Sequence, residues 1–234
     1  VFLVIGVYEF CKIVRINLLI SLCIASVSYF LLWNQYDHLV AKTIITSISI
    51  LTSIKLLLYL FNSEKTGFSI ATNYCLLIGY IVIPFILVNY VAIGVKGYNP
   101  KILISILILI WTNDTFAYIV GKSIGKTKLF PSVSPKKTIE GFVGGVIFTI
   151  ISSVLLSKFF IESKILYIWV TIAIIVSIFS TLGDLIQSKF KRVAGIKDSG
   201  KIMPGHGGIL DRLDSIIFVI PIINLFYLIL YYVS

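Results

Sequence analysis

The sequence predicts an all-α, polytopic integral membrane protein with about eight transmembrane helices, folded as a single transmembrane domain over residues 1–234. Three observations carry that prediction. The composition is 58% hydrophobic and only 13% charged, against about 25% charged in soluble domains. The apolar residues fall in long continuous runs, several of them near the roughly 20 residues that a spanning helix requires. Those runs also lack the alternating pattern of a membrane barrel, and only helices and closed barrels satisfy every backbone group in lipid.

Taken in order, the apolar spans lie near residues 1–14, 16–33, 40–61, 70–94, 101–121, 141–157, 165–187 and 214–233. The chain starts at Val1, already inside an apolar stretch, so a preceding segment and a truncated first helix are expected. No basic leader or small-residue cleavage site marks a signal peptide. Short polar connectors separate the spans, among them Asn34 to His38, Asn62 to Gly67 and Gly97 to Pro100; residues of these types favour turns. Span six opens with Gly141-Phe142-Val143-Gly144-Gly145, where small residues favour close helix approach. Cys11, Cys23 and Cys75 sit in apolar spans without a CxxC pair, so neither a disulfide framework nor a zinc site is expected. Residues 1–100 carry no motif, and the chemistry-bearing residues fall in 101–234.

Fourteen of the twenty lysines and arginines lie in connectors after spans one, three, five and seven; Lys42, Lys96, Lys101, Lys158 and Lys164 lie on the other side, and Lys55 is inside span three. The basic side is expected to face the cytoplasm. The net charge of +10 then reflects loop cations facing anionic headgroups and a polyanionic substrate, with no nucleic-acid partner.

The densest polar run extends from Ser188 to Asp214, between two apolar spans. Asp184 and Ser188 are four residues apart and share a helix face, and Asp211 and Asp214 share another. Two helix ends would thus gather three carboxylates and a hydroxyl, an all-oxygen set suited to a hard divalent cation. The alternative is that these acids pair with Lys191, Arg192 or Arg212, or cap a helix. Gly205-His206-Gly207-Gly208 permits a tight turn with positive φ, and the amides of the helix that follows would favour phosphate; a plain connector is the other reading. His206 has the chemistry to bond a phosphate oxygen or shuttle a proton. Within span five, Asn113-Asp114 lies inside the membrane end and is expected to face the bundle or a water-filled cavity. Lys136 and Lys137 serve either as phosphate-binding point charges or as membrane anchors. Ser134 and Thr138 are candidate caps for the helix of span six, with Glu140 in its first turn.

Together the two polar loops resemble the phosphatidate cytidylyltransferase family, also called CDP-diacylglycerol synthases. The family's signature is matched by Ser188, Phe190, Lys191, Arg192, Lys197, Asp198, Gly200, Pro204, His206, Gly207, Gly208, Ile209, Asp211, Arg212 and Asp214, with Met203 replacing the more usual Leu, Ile or Phe. A second block is matched by Ser134-Pro135-Lys136-Lys137-Thr138, Glu140-Gly141, Asp114, Ala117, Tyr118 and Gly121.

The resemblance implies synthesis of CDP-diacylglycerol and pyrophosphate from CTP and phosphatidate, with Mg²⁺ and room for a second cation, in a homodimer of a bacterial-type inner membrane. It implies a cation cluster of Asp184, Ser188, Asp211 and Asp214. Asp211, Asp214, Lys197, Asp198, His206 and Arg212 are the implied catalytic set. Ser134, Lys136, Lys137, Thr138, Lys191, Arg192, Gly207, Gly208 and Asp114 are the implied substrate-binding set. A CTP-dependent polyprenol or phytol kinase is the competing enzyme reading. A transporter would line a mid-membrane path with ions, whereas here only Asp114 and Lys55 read as embedded.

Overall fold

The structure, a computed structural model, describes residues 1–33, 38–62, 67–94, 97–162, 165–200 and 207–233. His206, with Pro204 and Gly205 of the glycine turn, lies outside the described residues. Each of the eight apolar spans is helical: α1 Phe2–Val14, α2 Leu18–Trp33, α3 Leu39–Phe61, α4 Ile70–Leu76 running through a π-helical segment into α5 Ile83–Val91, α6 Pro100–Ile124, α7 Ile139–Leu155, α8 Leu166–Val193 and α9 Leu210–Val233. Among the described residues, six helical stretches are long and apolar enough to cross a membrane. The expected count of eight is therefore not reproduced by length. At 13 and 16 residues, α1 and α2 reach only about 20 and 24 Å at the helical rise, short of a hydrocarbon core of about 30 Å.

Among the described residues, two short antiparallel strand pairs interrupt the helices, where an all-α chain was expected. Ile93–Gly94 pairs with Gly97–Tyr98 (β1, β2), and Lys128–Phe130 pairs with Ser134–Thr138 (β3, β4). The Ser134 to Thr138 motif is thus strand β4 and leads directly into α7. Thr138 caps α7, its Oγ1 accepting from Gly141 N at 3.2 Å. Ser134 does not cap; it pairs with Phe130 in the hairpin. Glu140 accepts from Thr127 N at 3.0 and 3.2 Å, tying the hairpin's entry to the first turn of α7.

Several helices outrun their apolar spans. α8 continues six residues past the expected end at 187, and α9 begins four residues before 214. Hydropathy marks the lipid-embedded length, whereas the hydrogen-bonded helix carries on through polar residues that reach water or a cavity. Consequently Ser188 to Arg192 sit on α8, and Asp211 and Asp214 sit on the first turns of α9 rather than in a loop.

α4–α5 and α9 form the enclosed centre, 67% and 56% buried over their apolar windows, while α6 and α7 are each 28% buried and lie at the periphery. Lipid is as apolar as leucine, so close packing rather than hydrophobic burial holds peripheral helices together. α6 and α7 achieve this through glycine. A Cβ at Gly141 would lie 2.5 Å from Ala117 O, and one at Gly145 would lie 2.8 Å from Asn113 Oδ1. Phe116 and Phe148 stack beside this seam with ring centroids 3.9 Å apart.

Phe190 anchors the far end of α8. Its ring meets Phe10 at 6.0 Å, Tyr59 at 5.6 Å, Phe68 at 6.2 Å and Tyr80 at 6.2 Å, which recruits α1, α3 and the segment leading into α5. Gly141→Val should lower the thermal midpoint in detergent, at a cost of about 1–3 kcal/mol for overpacking. Val143→Leu, on an exposed side chain of the same helix, should leave it unchanged.

Candidate active site

Successive helical residues point about 100° apart, and the end of α8 uses this to address three environments. Lys189 is 6% exposed; its Nζ donates to Tyr59 O at 2.5 Å and Asn62 O at 2.6 Å and so closes the C-terminus of α3. Phe190 enters the aromatic cluster. Lys191 turns the other way, its Nζ 2.6 Å from Asp211 Oδ1, and links α8 to α9.

Asp211 is held from several directions. Its Oδ2 accepts from Ser199 N at 2.8 Å, Ser199 Oγ at 3.0 Å and Gly208 N at 3.0 Å. One turn on, Asp214 is 7% exposed, and its Oδ1 accepts from Ser215 N at 2.7 Å. Asp184 on α8 accepts from Ser188 Oγ at 3.2 Å through Oδ1, and its Oδ2 lies 2.6 Å from Lys137 Nζ of β4. The ion-pair alternative for these acids is therefore realised for Asp184 and Asp211, with Lys137 as the unforeseen partner of Asp184.

These groups border one cavity of about 680 Å³, within the usual range for ligand sites. One wall is α6 and the β3–β4 hairpin, with Asp114, Tyr118, Lys122, Lys128, Lys136, Lys137 and Thr138; the other is α8 and α9, with Thr181, Asp184, Lys191, Asp211, Arg212, Asp214 and Ser215. The lining carries six cations and four carboxylates. Asn113 fixes the depth of the cleft, its Nδ2 donating to Ser180 Oγ at 3.0 Å, while Ser215 Oγ donates to Ser180 O at 3.3 Å. Asp114 stands ten residues before the end of α6, about 15 Å at the helical rise, and opens into this cavity as expected.

Several expected residues stand elsewhere. Lys197, Asp198 and Arg192 are exposed and outside the cavity lining. Ser134, Ser188, Gly207 and Gly208 are also outside it. Gly207 has φ 83°, the positive φ expected of the glycine turn. The amides leading into α9 are not offered to a phosphate, because protein carboxylates already hold them: Gly208 N donates to Asp211, and Ile209 N and Leu210 N donate to Glu9 at 3.1 and 2.8 Å.

Among the described residues, no group of three His, Cys, Asp or Glu side chains is gathered to hold a metal ion. Asp184 and Asp214 nevertheless face the same cavity from adjoining helices, with Ser188 beside Asp184. This all-oxygen set fits Mg²⁺, which typically takes one or two carboxylates and completes its shell with water and phosphate oxygens.

Sequence reasoning missed Glu9, which is 0% exposed. It is the sole acid in the first apolar span, and an ionisable group in such a position is itself a functional signal. The expectation that only Asp114 and Lys55 are embedded is corrected accordingly: Glu9, Lys189 and Asp214 are all more deeply buried. Lys128 had entered only as one of the basic-side charges. Ser199 carried no signal, since a lone serine beside a glycine is unremarkable.

The fold and cavity define a polytopic membrane protein with a charged, nucleotide-sized cleft open between helices. The chain belongs to the cytidylyltransferase family, whose sequence model matches residues 1–230. It is similar to the phosphatidate cytidylyltransferase of Staphylococcus haemolyticus (strain JCSC1435), 50% identical over 119 residues that cover 50% of this chain and 45% of that protein. The protein of the same description from Staphylococcus epidermidis (strain ATCC 12228 / FDA PCI 1200) is 42% identical over 144 residues, covering 59% of this chain and 55% of the relative. The chain spans about half the length of the curated relatives it matches.

Lys191→Met should destabilise the fold by about 3 kcal/mol, because it strands the largely buried Asp211 carboxylate. The Lys191→Met, Asp211→Asn double variant should lose less than the sum of the two single losses, as measured by a double-mutant cycle of unfolding in detergent.

Proposed function

We propose that this protein is a phosphatidate cytidylyltransferase, forming CDP-diacylglycerol and pyrophosphate from CTP and phosphatidate. The observation that carries the reading is the cavity itself, in which a lysine-rich hairpin wall faces the Asp184, Asp211 and Asp214 wall. That arrangement suits a reaction between two phosphates, each of which needs its charge neutralised before the other can approach.

In this reading a phosphatidate oxygen attacks the α-phosphorus of CTP. A new P–O bond forms, the bond to the α,β-bridging oxygen breaks, and pyrophosphate leaves with that electron pair. No covalent enzyme intermediate is required, so the protein's contribution is positioning and electrostatics. Lys122, Lys128 and Lys136 neutralise phosphate charge from the hairpin side. Lys137 does so where the two walls meet, and Lys191 and Arg212 do so from the α8–α9 wall. Asp184 and Asp214, with Ser188, would hold Mg²⁺, which when bound supplies Lewis-acid neutralisation of the triphosphate oxygens. Asp211 orients Lys191 and the backbone amides of Ser199 and Gly208. The acyl chains remain in lipid while the headgroup enters the cleft between helices.

The proposal extends to a cytoplasmic-facing site in a bacterial-type inner membrane, supported by the concentration of lysine and arginine on the cavity side, and to a homodimer, whose test is the mass of the purified protein in detergent.

Purified protein given CTP, phosphatidate and Mg²⁺ should release pyrophosphate and form CDP-diacylglycerol, and chelation of the cation should stop it. Absence of product from folded protein would sink the reading. Asp214→Asn should lower turnover at least about 100-fold while the protein remains folded and membrane-inserted; near-normal turnover would remove Asp214 from the site. Lys128→Ala should raise the KM for CTP about tenfold, the order expected for one charge-assisted phosphate contact; an unchanged KM would take Lys128 off the triphosphate.

A further inference from the structure

We propose that Glu9 is a positioning residue for nucleotidyl transfer: from α1 it fixes the start of α9, and through Ser199 it fixes Asp211. The inference rests on the functional reading above for the identity of the reaction, and on geometry alone for the role of Glu9.

The Glu9 carboxylate is fully buried, and among the described residues three donors hold it. Oε1 accepts from Ile209 N at 3.1 Å, and Oε2 accepts from Leu210 N at 2.8 Å and Ser199 Oγ at 2.8 Å. Two of these donors are backbone amides at the opening of α9, where the helix dipole favours negative charge. The carboxylate thus serves as a helix cap delivered by a different helix some 200 residues away in sequence.

The third donor makes the contact more than a cap. The Ser199 hydroxyl lies within bonding distance of both Glu9 Oε2 and Asp211 Oδ2, at 2.8 and 3.0 Å, yet it has one proton to give. Ser199 also donates its backbone N–H to Asp211. Glu9, Ser199 and Asp211 therefore form one connected unit that ends at Lys191 in the cavity. Because Glu9 holds the amides of Ile209 and Leu210, it sets where α9 begins and hence the rotational phase at which Asp211 and Asp214 enter the cavity.

A second observation is independent of the hydrogen bonds. A Cβ at Gly208 would lie 2.5 Å from both Glu9 carboxylate oxygens, and one at Gly200 would run into Glu9 Oε1. Gly200 and Gly208 of the polar run leave room for this carboxylate. The amides of Ile209 and Leu210 at the opening of α9 are thus taken by a built-in anion.

The test compares wild type, Glu9→Gln and Glu9→Asp for turnover, for the KM of CTP and phosphatidate, for thermal midpoint, and for amide hydrogen exchange at residues 209 and 210. Each Glu9 oxygen accepts from a backbone N–H, so whichever way it turns the amide of Gln sets its NH₂ against one of them, and Glu9→Gln should lower kcat by about tenfold or more. Both KM values should stay within about threefold, exchange at residues 209 and 210 should quicken, and Glu9→Asp should recover part of kcat. Wild-type kcat and unchanged exchange in Glu9→Gln would overturn the proposal, as would a loss of activity that merely tracks the folded fraction. Should Glu9→Gln not fold, Ser199→Ala decides: the proposal requires a fall in kcat from removal of the bridge, and wild-type kcat overturns it. Inactive wild-type protein would instead count against the functional reading, and the exchange measurement would still judge Glu9.

Discussion

A charge kept out of water must be paired, and in this protein that constraint organises the site. An isolated buried ion costs several kcal/mol even after relaxation, so a buried charge constrains which element can stand opposite it. Lys189 requires the carbonyls that end α3; Glu9 requires the amides that open α9; Asp211 requires Lys191. These pairings join the N-terminal helices, which lack recognisable motifs, to the two helices that carry the acidic residues. Lys137 and Asp184, more open to the cavity, close the circuit by drawing the β3–β4 hairpin against α8. The Lys137–Asp184 and Lys191–Asp211 pairs set opposite charges side by side at the cavity wall.

Helix packing around the cavity follows a different rule. Glycine lets α6 and α7 approach to backbone contact at Gly141 and Gly145, so two thinly buried helices remain a firm wall. Across the cleft, Phe190 locks the end of α8 into aromatic rings from three other elements. The phenylalanine between two lysines in the Ser188 to Arg192 run thereby acquires a physical reason: it fixes the rotation of α8, which sends Lys189 and Lys191 to opposite tasks.

Much of this was legible in the sequence. The spans were, because hydropathy is a direct consequence of lipid contact. The pairing of Asp184 with Ser188 followed from i, i+4 geometry, and the depth of Asp114 followed from its place in an apolar run. The count of crossing helices did not follow, since α1 and α2 are apolar but short. The β3–β4 hairpin was missed because Ser134 to Thr138 is polar and carries no strand alternation. The metal cluster was drawn from spacing, which places Asp211 and Asp214 on one face but cannot reveal that Ser199, Gly208 and Lys191 already engage Asp211. Glu9 was the clearest missed signal: a lone acid in an apolar span, passed over because it belongs to no motif and its partners lie at the other end of the chain.

The central claim is that the cavity joins a lipid phosphate to the α-phosphorus of CTP. It is tested most directly by following isotopic label from CTP into the extracted lipid, with phosphatidate as acceptor. Label placed at the α-phosphate should appear in the lipid, and label placed at the γ-phosphate should leave in pyrophosphate. Transfer of the γ label to lipid would contradict the claim and make the protein a CTP-dependent kinase.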